Sequence, residues 1–194
     1  GDGTTGFDQT VAGLAITGTT AIRKVVGGGS NTATLTVNNT ITTPYTFNGM
    51  LGGTGAYENN LALTKTGGGV LTLGGDNTYT GETRIERGSL TITHANALGS
   101  AAGRTILSGV SGGGEVSIIV SGGITVAEPL YLSGSIQRAN LQNGSGNNTW
   151  AGPIDITSAG SQQPMVYSSS STGTLTISGD ISGNNVPGFY LRGS

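Results

Sequence analysis

The sequence has little of what most enzyme and binding classes depend on. Its 194 residues include no cysteine, one histidine, one tryptophan, eight basic residues and ten acidic residues, and the net charge is −2. Without cysteine, neither disulfides nor cysteine-ligated zinc can form. The scattered Lys and Arg residues exclude the basic footprint expected of a nucleic-acid-binding protein. No run of 18 apolar residues occurs, so the sequence is not expected to span a membrane as a helix.

Glycine, by contrast, is abundant: 37 of the 194 residues. Each glycine inside a helix costs about 1 kcal/mol of helix propensity, which argues against a helical protein. The glycines also lack the every-third spacing that collagen requires. Hydrophobic residues make up 34% of the chain, more than is typical of a disordered segment. The composition therefore favours short strands separated by glycine-containing turns.

Apolar and polar residues alternate in many segments of only three to five residues, such as 71–73, 90–92 and 175–177. A period of two places alternate side chains on opposite faces of a strand. Glycine clusters such as 67–69 and 112–114 separate these segments. Such short strands favour a coil of stacked parallel strands over a sandwich, whose strands are usually about 5–6 residues or longer. With roughly 20 residues per rung, the sequence predicts an all-β parallel β-helix, or β-solenoid, of about nine short rungs.

The most regular segment, 61–92, reads LALTKTGGGVLTLGGDNTYTGETRIERGSLTI. It resembles the autotransporter-associated β-strand repeat of passenger-type β-helix proteins. Glu82 and Arg84 stand where that family commonly has small residues. The resemblance implies a right-handed parallel β-helix in a bacterial protein that is secreted or displayed on the cell surface. Passengers of this kind are commonly adhesins or surface fibres.

The alternation also assigns structural roles within this motif. Asn77, Tyr79 and Gly81 are expected at corners, where Asn77 closes an Asx-type hydrogen bond or joins an asparagine ladder. Lys65 is expected to lay its stem on the coil and to keep its ammonium group in water. Seven aliphatic side chains are expected to stack in the core: Leu61, Leu63, Leu71, Leu73, Ile85, Leu90 and Ile92.

Candidate catalytic groups are sparse. Asp76, Glu82 and Glu86 form the one acidic cluster, and a carbohydrate-active β-helix enzyme needs two or three adjacent carboxylates. Because Glu82 and Glu86 point to one face of a strand and Arg84 shares that face, we interpret the cluster as a solvated surface with offsetting charges. His94 has no partner at a catalytic or metal-ligand spacing and is interpreted as an exposed turn residue. The sequence thus predicts no catalytic residue, metal site or cofactor, and no enzyme.

Trp150 is the candidate ligand contact, because it follows the asparagine-rich stretch 147–148. An exposed indole there would stack on a sugar ring of a surface glycan. The alternative is that the ring plugs the core at the end of a rung.

We treat residues 1–194 as a single β-helix segment, a slice or repeat unit of a longer surface protein or fibre, with the core repeat motif at 61–92. Neither 1–6 nor 188–194 reads as an amphipathic capping helix, and an uncapped solenoid end exposes unpaired strand edges. We therefore predict a structural component of a bacterial extracellular fibre or surface rod. It would self-associate head to tail or continue into a longer chain. Two alternatives stay open: a surface adhesin passenger that binds glycans or matrix, and a carbohydrate-active β-helix enzyme.

Overall fold

The computed structural model describes residues 5–16, 23–40, 44–110, 112, 114–133, 139–157, 164–168, 173–184 and 190–192, which contain twenty β-strands and no helix. In chain order the strands are β1 (Gln9–Val11), β2 (Lys24–Val25), β3 (Ala33–Asn38), β4 (Tyr45–Phe47), β5 (Met50–Leu51), β6 (Leu61–Thr66), β7 (Val70–Leu73), β8 (Thr83–Ile85), β9 (Gly88–Ile92), β10 (Thr105–Leu107), β11 (Val116–Ser121), β12 (Thr125–Val126), β13 (Leu130–Leu132), β14 (Ala139–Ser145), β15 (Asn148–Trp150), β16 (Ile154–Thr157), β17 (Met165–Ser168), β18 (Leu175–Ile177), β19 (Ile181–Asn184) and β20 (Tyr190–Arg192).

These strands stack into sheets in which every paired neighbour runs parallel. The largest sheet has the order β1-β3-β6-β8-β10-β13-β16-β19, and the second has the order β20-β17-β14-β11-β9-β7-β4. A third side consists of the pair β2-β5 in the early coils and of β12-β15-β18 in the late coils. The chain visits the sides in turn and pairs each strand with its counterpart in the next coil. The predicted all-β parallel β-solenoid is confirmed.

One coil takes 19 to 28 residues, as the pairs Leu71–Leu90 and Leu35–Leu63 show. The eight strands of the largest sheet span about 34 Å at a spacing of about 4.8 Å. The predicted number of about nine rungs is not confirmed, because most coils are longer than the roughly 20 residues assumed for each. The right-handed winding stays a prediction.

The core is a set of aliphatic columns that run along the solenoid axis. The seven aliphatic residues singled out in segment 61–92 all lie inside, each with at most 4% of its surface exposed. In the second sheet, Leu71 pairs with Leu90, and the same column continues through Ile118 to Leu141. Each fully buried side chain contributes about 1.5–3 kcal/mol. Contacts between the aliphatic side chains of neighbouring coils therefore hold the coils together.

Candidate functional site

The outer face of the largest sheet carries a charged strip. The Glu82 carboxylate forms ion pairs with the guanidinium groups of Arg84 and Arg104, and its Oε2 lies 2.9 Å from Arg104 Nε. Arg104 in turn lies over the ring of Tyr131, one coil further on, at 5.3 Å from the ring centroid. The hydrogen bond to Glu82 raises the pKa of Arg104. The strip is therefore a network in which one carboxylate group is paired with two guanidinium groups.

Two of the three acidic residues in the predicted cluster, Asp76 and Glu82, have basic or amide partners. Glu82 is held by two guanidinium groups, and Asp76 accepts a hydrogen bond from Asn96 Nδ2 at 2.8 Å. His94 Nδ1 lies 4.0 Å from Asp76 Oδ1, and the His94 side chain is 41% exposed in a turn. Within the described ranges, no group of three or more His, Asp or Glu side chains is placed to hold a metal ion. This geometry supports the interpretation of a solvated strand face.

Trp150 lies in the core, which agrees with the alternative of a core plug and contradicts an exposed glycan contact. Its side chain is fully buried in β15, where it stacks between Val126 of β12 and Ile177 of β18. The residue takes an inward position of the strand alternation, so the ring faces the solenoid axis instead of solvent. The indole Nε1 has no hydrogen-bond partner. A ring in this position cannot stack on an external sugar.

Lys65 is also fully buried, which corrects the expectation of a wet ammonium group. It takes the inward position after Leu61 and Leu63 in β6. Its Nζ donates hydrogen bonds to the carbonyl oxygens of Thr66, Gly67 and Arg87 at 2.8, 2.7 and 3.2 Å. Burial lowers the pKa of Lys65 to about 8. The alternation of β6 places Lys65 inward, and the expectation is wrong because three backbone carbonyl groups replace water around the ammonium group.

Asn77 joins three successive coils at the corner after β7. Its Oδ1 accepts a hydrogen bond from the Leu51 N–H at 2.8 Å, and its Nδ2 donates to the Ala97 carbonyl oxygen at 2.6 Å. The amide thus bonds to the backbone on both sides rather than to another asparagine. In the same corner, the Gly81 N–H donates to the Leu61 carbonyl oxygen at 3.0 Å. A Cβ at Gly81 would lie 2.6 Å from that oxygen, so no side chain fits there.

Tyr79 and Glu128 are buried polar residues inside the solenoid. Tyr79 is fully buried, and its hydroxyl shares a hydrogen bond with Thr83 Oγ1. Burial raises the pKa of Tyr79, and the negative charge of Glu128 raises it further. Glu128 is 4% exposed, its Oε1 has no partner, and burial raises its pKa to about 8. Sequence reasoning missed Glu128, although it shares the alternation of Val126 and Leu130, both buried.

At the N-terminal end of the described residues, β1 pairs on one side only, with β3, and Phe7 just before it is 66% exposed. A cavity of about 200 Å³ opens here, and its lining includes Phe7, Val25, Leu35 and Leu61. Apolar side chains of the interior therefore line an accessible cavity at this end of the described residues.

The other edge of the largest sheet is similar: in the part of the chain that the structure describes, β19 pairs only with β16, and all four of its residues are exposed. Ile181 is 48% exposed, whereas Ile154 and Leu130, which precede it in the same column, are fully buried. Of the segments expected to lack a cap, residues 1–4, 188–189 and 193–194 lie outside the described residues.

Within the part of the chain that the structure describes, no helix has the length and apolar character needed to cross a membrane. In comparisons with known proteins, neither a curated protein nor a solved structure matches the chain. The passenger-associated-transport-repeat family matches residues 63–92, which cover β7 to β9 and most of β6. Over this segment the chain is therefore similar to the passenger-associated-transport-repeat family, and the predicted resemblance to the autotransporter-associated repeat is confirmed.

Proposed function

We propose that this chain is a structural segment of a bacterial extracellular fibre or surface rod, joined end to end through its open solenoid ends. The observation that carries the proposal is that both terminal strands of the largest sheet are unpaired on their outer side within the described residues. The repeat at 63–92 and the solenoid fold are typical of an autotransporter passenger-type domain. Such domains are typical of the cell surface or the extracellular space.

An open parallel edge is a template for another strand that runs in the same direction. When the C-terminal edge of one copy meets the N-terminal edge of the next, the contact joins two different surfaces and does not close on itself. Such a contact produces a filament. The small net charge of −2 offers little long-range repulsion against this stacking.

The direction of the backbone hydrogen bonds shows how to block an edge without damaging the coil. In the largest sheet the N–H groups of inward-facing residues point to the following coil, as that of Thr83 does to the Arg104 carbonyl oxygen at 2.9 Å. Alternate residues of a parallel strand bond to opposite neighbours. The N–H of Thr10, an outward-facing residue of β1, therefore points away from β3 at the open edge. Proline at position 10 removes this donor and spares the internal ladder.

The test compares wild type, Thr10→Pro and the control Thr10→Val by negative-stain electron microscopy and sedimentation velocity. We use about 0.5 M NaCl, which screens charge between copies. Wild type and Thr10→Val should form rods whose length grows with protein concentration, whereas Thr10→Pro should stay as discrete particles. Discrete wild-type particles at high concentration, or equal assembly of Thr10→Pro, would contradict end-to-end stacking.

Neither alternative function has a specific observation in its favour. A glycan-binding adhesin loses its candidate contact because Trp150 is buried. A carbohydrate-active enzyme needs a carboxylate pair, and Glu82 is instead held by Arg84 and Arg104.

A further inference from the structure

We propose that Asn48 is a site of self-modification, at which the chain converts its own asparagine to aspartate or isoaspartate without an enzyme. An asparagine followed by glycine can react with itself, because the glycine nitrogen lies within reach of the asparagine side chain and no Cβ hinders the approach. The sequence contains two such pairs, Asn48-Gly49 and Asn143-Gly144. Their surroundings in the fold differ, so only the first is reactive. This modification is independent of assembly into a fibre.

The reaction needs only the chain and water. The Gly49 nitrogen attacks Asn48 Cγ and forms a C–N bond, and the carboxamide nitrogen leaves as ammonia together with the proton of the Gly49 amide. Water then opens the cyclic imide. Attack at Cγ gives aspartate, and attack at the main-chain carbonyl carbon of residue 48 gives isoaspartate, in which the main chain runs through Cβ and Cγ. The net change replaces an NH2 group by a hydroxyl group, without oxidation or reduction.

Asn48 is exposed at the corner between β4 and β5. Its carboxamide leans over Gly74 in the next coil, where a Cβ would collide with Asn48 Oδ1. Among the described residues, neither this carboxamide nor the Gly49 N–H has a hydrogen-bond partner. Rotation of the Asn48 side chain toward the Gly49 nitrogen therefore breaks no hydrogen bond.

Asn143 is fully buried in β14, and both ends of its carboxamide have partners. Its Oδ1 accepts a hydrogen bond from Asn148 Nδ2 at 2.6 Å, and its Nδ2 donates to the Gly146 carbonyl oxygen at 3.2 Å. Rotation of this side chain toward the Gly144 nitrogen would break both bonds, so the reaction there has to wait for local opening of the coil. The fold thus protects Asn143 and leaves Asn48 reactive.

The corner at Gly49 has no room for a longer main chain. A Cβ on Gly49 would lie 2.4 Å from the Arg23 carbonyl oxygen, which also accepts the Met50 N–H at 2.8 Å. On the other side, a Cβ on Gly75 would lie 1.9 Å from the Gly49 carbonyl oxygen. The Gly49 backbone is therefore packed between the preceding and the following coil. Isoaspartate inserts a methylene group into the main chain just before Gly49, so its formation should weaken the pairing of β5 with β2.

The experiment incubates wild type and Asn48→Gln at neutral pH, in one series folded and in another series unfolded in urea. Peptide mapping by mass spectrometry follows the exchange of NH2 for hydroxyl at Asn48 and Asn143 separately, and chromatography separates aspartate from isoaspartate. Thermal unfolding of the incubated folded samples measures the effect on stability. Asn48→Gln is the matched control, because it keeps the amide but its longer side chain has to close a larger ring.

In the folded protein, Asn48 should be modified at least about tenfold faster than Asn143, because reaction at Asn143 first has to break buried hydrogen bonds. In urea the two sites should react at similar rates, because both precede glycine. Incubated wild type should lose thermal stability as isoaspartate accumulates, whereas Asn48→Gln should keep its stability.

Equal rates at the two sites in the folded protein would overturn the assignment of Asn48. The same holds if Asn48 stays unmodified in the folded protein over a time in which it reacts in urea. Wild type that contains isoaspartate and yet unfolds at its original temperature would overturn the inferred strain at the corner.

Discussion

The ammonium group of Lys65 donates a hydrogen bond to the carbonyl oxygen of Arg87, one coil further along, at 3.2 Å. Its other two hydrogen bonds go to Thr66 and Gly67 in its own corner. An ammonium group has three donors, and here each has a backbone acceptor. A charge in the core is tolerated because these carbonyl dipoles replace water. Lys65 thereby fastens the corner after β6 to the corner after β8.

Replacing Lys65 should destabilise the protein strongly. Lys65→Ala leaves a cavity and frees three carbonyl groups, so we expect the free energy of unfolding to fall by about 2–5 kcal/mol. Lys65→Met keeps most of the volume and should cost less than Lys65→Ala. Urea unfolding followed by far-ultraviolet circular dichroism gives these values. Lys24→Ala is the control, because Lys24 forms an exposed ion pair with Glu58, and such pairs contribute less than about 1 kcal/mol. An equal cost for Lys65→Ala and Lys24→Ala would contradict the role of Lys65.

The free energy of unfolding should pass through a minimum near pH 8. Glu128 holds its proton in the folded protein up to a pKa of about 8, whereas an unfolded glutamate loses it near about 4.3. Between these values the unfolded state binds fewer protons, so stability falls as the pH rises, by on the order of 3 kcal/mol.

Lys65 has a folded pKa of about 8, below the unfolded value of about 10.4. Between these values the folded state binds fewer protons, so stability rises with pH.

Two variants test the falling part and the rising part of this pH dependence of stability separately. Glu128→Gln should remove the decline between about pH 5 and about pH 8, because the neutral amide has no proton to lose. Lys65→Met should remove the rise between about pH 8 and about pH 10. Urea unfolding at the three pH values measures both effects. A wild-type stability that rises from about pH 5 to about pH 8, or an unchanged decline in Glu128→Gln, would refute the assignment.

Gly67 and Gly68 are adjacent but should respond differently to alanine. Gly67 has a φ of +75°, and a Cβ there would lie 2.2 Å from the Asn39 carbonyl oxygen. Gly67→Ala should therefore cost more than about 2 kcal/mol, because both backbone strain and a clash oppose the methyl group. Gly68 has no atom within 4 Å of its Cβ position, so Gly68→Ala should be neutral or stabilise by up to about 1 kcal/mol. Thermal unfolding of the two variants measures this difference. Similar losses of stability in Gly67→Ala and Gly68→Ala would contradict the corner geometry.

The corner amide of Asn77 should tolerate neither truncation nor charge. Asn77→Ala leaves the Leu51 N–H and the Ala97 carbonyl oxygen without their partner, at a cost of about 1–3 kcal/mol for each buried group. Asn77→Asp keeps the acceptor but loses the donor to Ala97 and buries a carboxyl group, so it should be at least as destabilising. Asn96→Ala, at the exposed turn of the next coil, serves as the control and should cost less than about 1 kcal/mol. Chemical unfolding compares the three, and a fully tolerated Asn77→Ala would refute the cross-coil role.

The fold and the aliphatic core follow from local patterns. Residues such as Leu71 and Leu73 alternate with polar residues, and glycine clusters set the corners, so parallel coils could be predicted without tertiary information. The number of rungs could not be predicted from the sequence. The length of one coil varies between 19 and 28 residues, because the number of residues in each corner varies. The offsetting charges of Glu82 and Arg84 can be predicted from their shared strand face. Arg104, the second guanidinium partner of Glu82, lies in the next coil, and the register between the two coils places it beside Glu82.

Local alternation predicts that this chain winds into parallel coils and which residues of a strand share a face, because successive side chains of a strand point to opposite sides. The contacts of each inward side chain follow from the stacking of the coils. Lys65 finds three carbonyl groups, Glu128 has an oxygen without a partner, and Trp150 packs between two aliphatic residues. Neighbours in a column lie 19 or more residues apart in the chain, so their contacts are set by stacking between coils and leave no local signal.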